Sequence, residues 1–153
     1  MSELENNSVL VLTIDNQISE IARMTVWLDK ELRKFNATPE MLFNFDLCAN
    51  EVADNIISYA YPNGGEHVVT LRLEVDSNKI TLEFEDDGIP FNFLEATDHV
   101  RPENLEKAKI GGLGIYLTKH YMDECEYIRR DDKNILKIIT YLSSTSDVSD
   151  NEK

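Results

Sequence analysis

A chain of 153 residues, 42% of them hydrophobic, is the size of one ordinary domain with a real core and too short for two comfortable ones. Its formal net charge of −14 argues against nucleic acid as a partner, because affinity for a phosphate backbone comes chiefly from lysine and arginine neutralising it. No apolar run approaches a membrane span, and the opening MSELENNSVL is polar and acidic, so neither membrane anchor nor leader is expected and a cytoplasmic protein is.

Residues 1–8 read as a flexible N-terminus. SVLVLTI, Ser8 to Ile14, is β-rich and predicts a first strand. Asp15 or Asn16 can then cap a helix over Ile18 to Phe35, where Ile18, Ile21, Leu28, Leu32 and Phe35 recur at helical steps. Thr38-Pro39-Glu40 supplies a capping hydroxyl, a first-turn proline and a first-turn acid for a second helix, which YPNGG stops near Tyr61. Val69, Leu71, Leu73 and Val75 alternate with polar residues, as do Ile80, Leu82 and Phe84, which predicts a hairpin with one buried face.

The pattern then dissolves into about twenty-five residues from Asp86 to Ile110, too long for a passive connection, so a mobile functional loop is expected. A third helix follows over Gly112 to Met122, and CEYIRR pairs with ILKIITYL in a last hairpin. The tail 143–153, SSTSDVSDNEK, has one apolar residue and reads as disordered and acidic. Only Cys48 and Cys125 are present, without metal-binding spacing, and read as buried reduced thiols. Helices segregated from two hairpins predict an α+β fold: a mostly antiparallel mixed sheet with helices on one face, in two layers.

Three fragments could carry chemistry. In NEVADNIISYAYP, Glu51 and Asn55 are four apart and on a helix stand about 40° apart around the axis, one turn above the other. Ala49, Val52, Ala53, Ile56 and Ala60 take the opposite arc, so Glu51, Asn55 and Ser58 point away from the packing stripe. That is either an ordinary solvated face or a general base followed by a metal ligand. In FEDDGIPFN a strand ends in acids and a glycine, either a plain turn or an Asp86 that accepts from a planar ligand's amino group beside a permissive Gly88. GGLG ends the long loop and opens a helix, where free N–H groups and the helix dipole favour phosphate. It lacks the P-loop spacing.

In joint order, E-x-x-x-N on a helix, D-x-G-x-x-F after a strand and GGLG opening a helix, the chain resembles the ATP-binding superfamily of DNA gyrase, histidine kinases and MutL, the Bergerat fold. Within it, NEVADNIISYAY, EDDGIPFN and GGLGIYLTKHYMDE resemble the three boxes of the stand-alone anti-sigma-factor serine kinases of bacteria, over Val9 to Leu142. That resemblance implies a histidine-kinase-like ATP-binding domain at residues 9–142, with ATP and Mg²⁺ as cofactors. It implies Glu51 as general base, Asn55 as Mg²⁺ ligand, Asp86 on the adenine amino group, and Gly88, Gly111, Gly112 and Gly114 in close contact with nucleotide. Its implied partners are a STAS-domain anti-anti-sigma protein phosphorylated on serine and a sigma factor held inactive; a homodimer is compatible with it.

Two positions depart from the pattern. Relatives often place a threonine near adenine in the last strand, where Asn134 and Ile135 stand here. No arginine precedes GGLG, so Lys107 or Lys109 would have to meet the γ-phosphate. Two functions therefore compete: a serine kinase, and a nucleotide-gated module that sequesters a partner without phosphate transfer. Glu51 favours the kinase, because a pure binder has no use for a base.

Overall fold

The computed structural model describes residues 8–95 and 112–142. Strand β1 (Ser8–Asp15) leads through a single 3₁₀ turn (Ile18–Glu20) into helix α1 (Ile21–Lys34) and then α2 (Pro39–Tyr59). The hairpin β2 (Val68–Val75) and β3 (Lys79–Asp86) follows, then α3 (Gly112–Tyr121), β4 (Glu124–Arg130) and β5 (Lys133–Tyr141). The expected N-terminal segment lies largely, and the acidic tail, Lys107, Lys109 and Gly111 wholly, outside the described residues.

The strands form one sheet in the order β1-β2-β3-β5-β4, antiparallel at all four pairings. No parallel pair arises because β5 slots between β3 and β4, the two strands that the α3 crossover leaves pointing the same way. Register follows the hydrophobic alternation, since a one-residue slip would turn every buried side chain to the other face. Leu12, Leu71, Phe84, Leu136 and Tyr127 stand opposite one another in one row across the sheet. Leu10, Leu73, Leu82, Ile138 and Cys125 make the next. These rows join Met24, Leu28 and Leu32 of α1, Phe45, Val52 and Ile56 of α2 and Ile115 of α3 in one core, so the helices cover a single sheet face.

Local chemistry sets the turns. Thr38 caps α2, its Oγ1 accepting from the Met41 amide at 3.1 Å, with Pro39 in the first turn. Asp131 and Asp132 take φ of 56° and 63°, the two left-handed residues of a tight hairpin turn between β4 and β5. The expected capping by Asp15 or Asn16 does not occur. Asp15 is the last residue of β1, and the Asn16 side chain is drawn across the fold instead, accepting from the His67 amide at 3.0 Å and donating to the Gly65 carbonyl at 3.1 Å. Ile18 is correspondingly exposed, and α1 begins only at Ile21.

The α1–α2 contact holds an electrostatic fault. Asp29 and Asp46 each bury an Oδ1 that finds no hydrogen-bond partner among the described residues. Burial first, then the charge of Asp29, pushes the Asp46 carboxyl up from 3.8 to about 6. The folded chain therefore holds this proton more tightly than the unfolded one, and stability is lost as pH rises from about 4 through about 6. Asp46→Asn, which imitates the protonated acid, is expected to raise the melting temperature at pH 7.5 by about 3 °C, or about 1 kcal/mol after solvent screening. The gain should vanish at pH 4; melting curves at the two pH values check it, and a lower melting temperature at pH 7.5 would show that the ionised acid stabilises the fold.

Candidate functional site

Glu51 and Asn55 lie one turn apart on α2, as their spacing predicts, but the face they share is not solvated. Asn55 is only 5% exposed, and Glu51 is half-buried where the start of α3 packs over it. The Asn55 Nδ2 donates to the Glu51 carbonyl at 2.9 Å, which fixes the amide plane. Its Oδ1 is buried and has no partner among the described residues. Burial, and then the charge of Asp54, hold the Glu51 carboxyl above the ordinary range, the direction that suits a carboxylate to accept protons.

Gly114 explains how α3 comes so close. A Cβ there would stand 2.7 Å from Glu51 Oε1 and 3.1 Å from Glu51 Cβ. Its absence makes room for the acid. The Thr118 hydroxyl back-bonds to the Gly114 carbonyl at 2.8 Å within the same first turns of α3, and Gly112 opens that helix.

Asp86 ends β3 and is 3% exposed. Its Oδ1 accepts from the Gly88 amide at 2.8 Å and from Asn134 Nδ2 at 2.9 Å, the residue directly opposite it on β5. Burial raises the Asp86 carboxyl, and these two donors pull the other way. Gly88 lies against the end of helix α2: a Cβ would collide with the Ala60 backbone, and the next residue donates its amide to the Ala60 carbonyl at 3.0 Å. Its small size is required by that packing. Arg129 of β4 holds the same corner through its bond to the Gly88 carbonyl at 2.9 Å.

Asp86 and Asn134 stand at the end of a cleft walled by Val52, Ile56, Phe91, Phe93 and Leu136. An apolar slot with a few converging polar groups is the usual form of a small-molecule site. Its enclosed part measures about 20 Å³, room for one water-sized group. The cleft and the Glu51–Asn55 pair share α2: Val52 and Ile56 wall one on the residues that follow the other directly. The family described as the histidine kinase-like ATPase domain matches residues 14–140. The chain belongs to that family.

Among curated proteins, the serine/threonine-protein kinase BtrW of Bordetella bronchiseptica is 28% identical over 120 residues, covering 78% of this chain and 84% of its own. The serine-protein kinase RsbW of Staphylococcus epidermidis is 28% identical over 83 residues, 51% of this chain and 52% of its own. RsbW of Listeria innocua is 21% identical over 118 residues, 74% of each. The α+β architecture described above is consistent with the ATP-binding fold of the family.

The structure thus brings Glu51, Asn55 and Gly114 together, and Asp86 with Gly88. The sequence reading missed Tyr127 and Arg129, which support the second group from the edge strand. Neither lies in a glycine-rich or acidic box, and only their register on β4, opposite Leu136 and Asn134, could have pointed to them. Among the described residues no helix is long and apolar enough to cross a membrane. Cys48 and Cys125 are both free, and burial pushes their thiols up to about 12 and about 11.

Proposed function

We propose that the chain is an ATP-dependent protein serine kinase of the anti-sigma-factor type, acting on a STAS-domain anti-anti-sigma protein and holding a sigma factor inactive. The observation that carries this reading is the half-buried, proton-avid Glu51 carboxyl one helical turn from an amide oxygen that finds no partner among the described residues. Membership of the family and similarity to proteins named serine kinases support it.

In this reading Glu51 accepts the proton of the attacking serine hydroxyl while that oxygen bonds the γ-phosphorus of ATP. The bond to the bridging oxygen breaks and ADP leaves. Asp86 takes the adenine amino group through a carboxylate oxygen. The donor chemistry fits magnesium, a hard cation that takes oxygen ligands and shares its shell with phosphates and water, and Asn55 Oδ1 would hold it. Bound there, the ion neutralises phosphate charge, which a chain of net charge −14 does not supply in bulk.

Incubation with γ-labelled ATP and a STAS protein should place label on a serine of the partner. ATP or ADP should also raise the melting temperature with Mg²⁺ and far less with EDTA. Absence of any Mg²⁺-dependent shift would remove the nucleotide site. Binding of both nucleotide and partner without transfer would reduce the chain to a sequestering module.

A further inference from the structure

Asn134 occupies the strand position beside Asp86, and its carboxamide is completely spoken for. One amide hydrogen goes to Asp86 Oδ1 at 2.9 Å and the other to the Ile89 carbonyl at 2.8 Å. Its oxygen accepts from the Tyr127 hydroxyl at 2.5 Å and from the Phe91 amide at 3.2 Å. A primary amide has two donors and two acceptor lone pairs. Nothing is left with which Asn134 could read a base directly.

We propose that Asn134 is a positioning residue for base recognition: held in one orientation by Tyr127, Phe91 and Ile89, it engages Asp86 Oδ1 and so leaves Oδ2 as the oxygen that meets the amino group of the base. This rests on the nucleotide reading above. Three features support it. The two donors described on Asp86, the Gly88 amide and Asn134, both fall on Oδ1, so the carboxylate is fixed about one oxygen and asymmetric. The Phe91 amide can only donate, to the amide oxygen, and the Ile89 carbonyl can only accept, from the NH₂, so together with the Tyr127 hydroxyl on the oxygen they set the NH₂ toward the acid. Asn134 is 4% exposed and Asp86 3%, and in so dry a place a polar network holds its geometry only while every member is satisfied.

A role in positioning Asp86 differs from a merely structural one in which ligand it affects. Binding of Mg-ATP and of the Mg²⁺ complex of purine riboside triphosphate, which lacks the 6-amino group, is to be measured by calorimetry on the full chain, on Asn134→Ala and on Tyr127→Phe. The parent should prefer ATP. Asn134→Ala should weaken ATP about 10-fold, the loss expected for a hydrogen bond to a charged group, and the amino-less nucleotide less than about 2-fold. Tyr127→Phe should move the same way by about 3-fold, and it decides the matter if Asn134→Ala does not fold. Equal losses for both nucleotides, or an unchanged preference for ATP, would overturn the positioning role while leaving the nucleotide site standing. A parent that binds neither nucleotide would overturn both.

Discussion

Glu51→Gln is expected to lower phosphate transfer to a STAS serine by about 10²- to 10⁴-fold, the range that general-base assistance contributes. The substitution keeps size and shape, and because Gly114 offers no Cβ the glutamine fits the gap the glutamate leaves. Mg-ATP binding should stay within about 2-fold, since Asn55 Oδ1 and not Glu51 is the proposed metal ligand and phosphoryl-transfer sites bind largely through phosphate and metal contacts. The pH profile supplies a second signature. Burial and Asp54 raise the Glu51 carboxyl above its ordinary 4.5, so the parent's rate should climb as pH rises through that shifted value, while the glutamine variant lacks this limb. Single-turnover transfer measured against pH checks both, and a variant that transfers at near-parental rate sinks the catalytic assignment.

The sequence carried the sheet well because alternation with period two and a single buried face leave little freedom of register. Leu71 and Phe84 align because each is the apolar member of its alternation, whereas in β5 Ile135 and Leu136 are both apolar and buried and only the pairing with β3 shows which one faces Phe84. The cap at Thr38 was equally plain, since a hydroxyl, a proline and an acid in sequence have one common physical reading. Asn55 shows where such reasoning stops. A helical wheel of α2 separates it from Val52 and Ile56, yet the fold leaves it 5% exposed, and α3, more than fifty residues later in the chain, packs against Glu51 one turn before it.

Tertiary closeness also sets what surrounds the small residues. Gly88 and Gly114 are legible as glycines near a site, but their neighbours, Ala60 and Glu51, belong to another element and are invisible in the local string. Asp15 and Asn16 failed as caps for a related reason. An asparagine that can cap a helix can as well bond a passing backbone, and here the 64–67 segment lies within reach and takes both polar ends of Asn16. The Asp86–Asn134 pair is likewise a product of register, 48 residues apart in sequence and directly opposed across β3 and β5.

Asp86→Asn should separate adenine recognition from folding. The oxygen of the new amide can keep both bonds that Asp86 Oδ1 now accepts, from the Gly88 amide and Asn134 Nδ2, so the corner of the fold remains tied. It also removes a buried carboxylate whose ionised form burial opposes, and the melting temperature without nucleotide should not fall. The other end changes sign: an NH₂ replaces Oδ2 and would meet the adenine amino group donor against donor. Loss of a charge-assisted bond together with an unsatisfied donor predicts ATP binding weaker by about 10²-fold. A 6-oxopurine presents an acceptor at that place, so inosine triphosphate should lose much less or gain, and the preference between the two nucleotides should shift toward it. Calorimetric titration of both nucleotides into parent and variant measures the ratio. If Asp86→Asn binds ATP as tightly as the parent, Asp86 does not contact the base, and the cleft between α2 and β5 takes some other group.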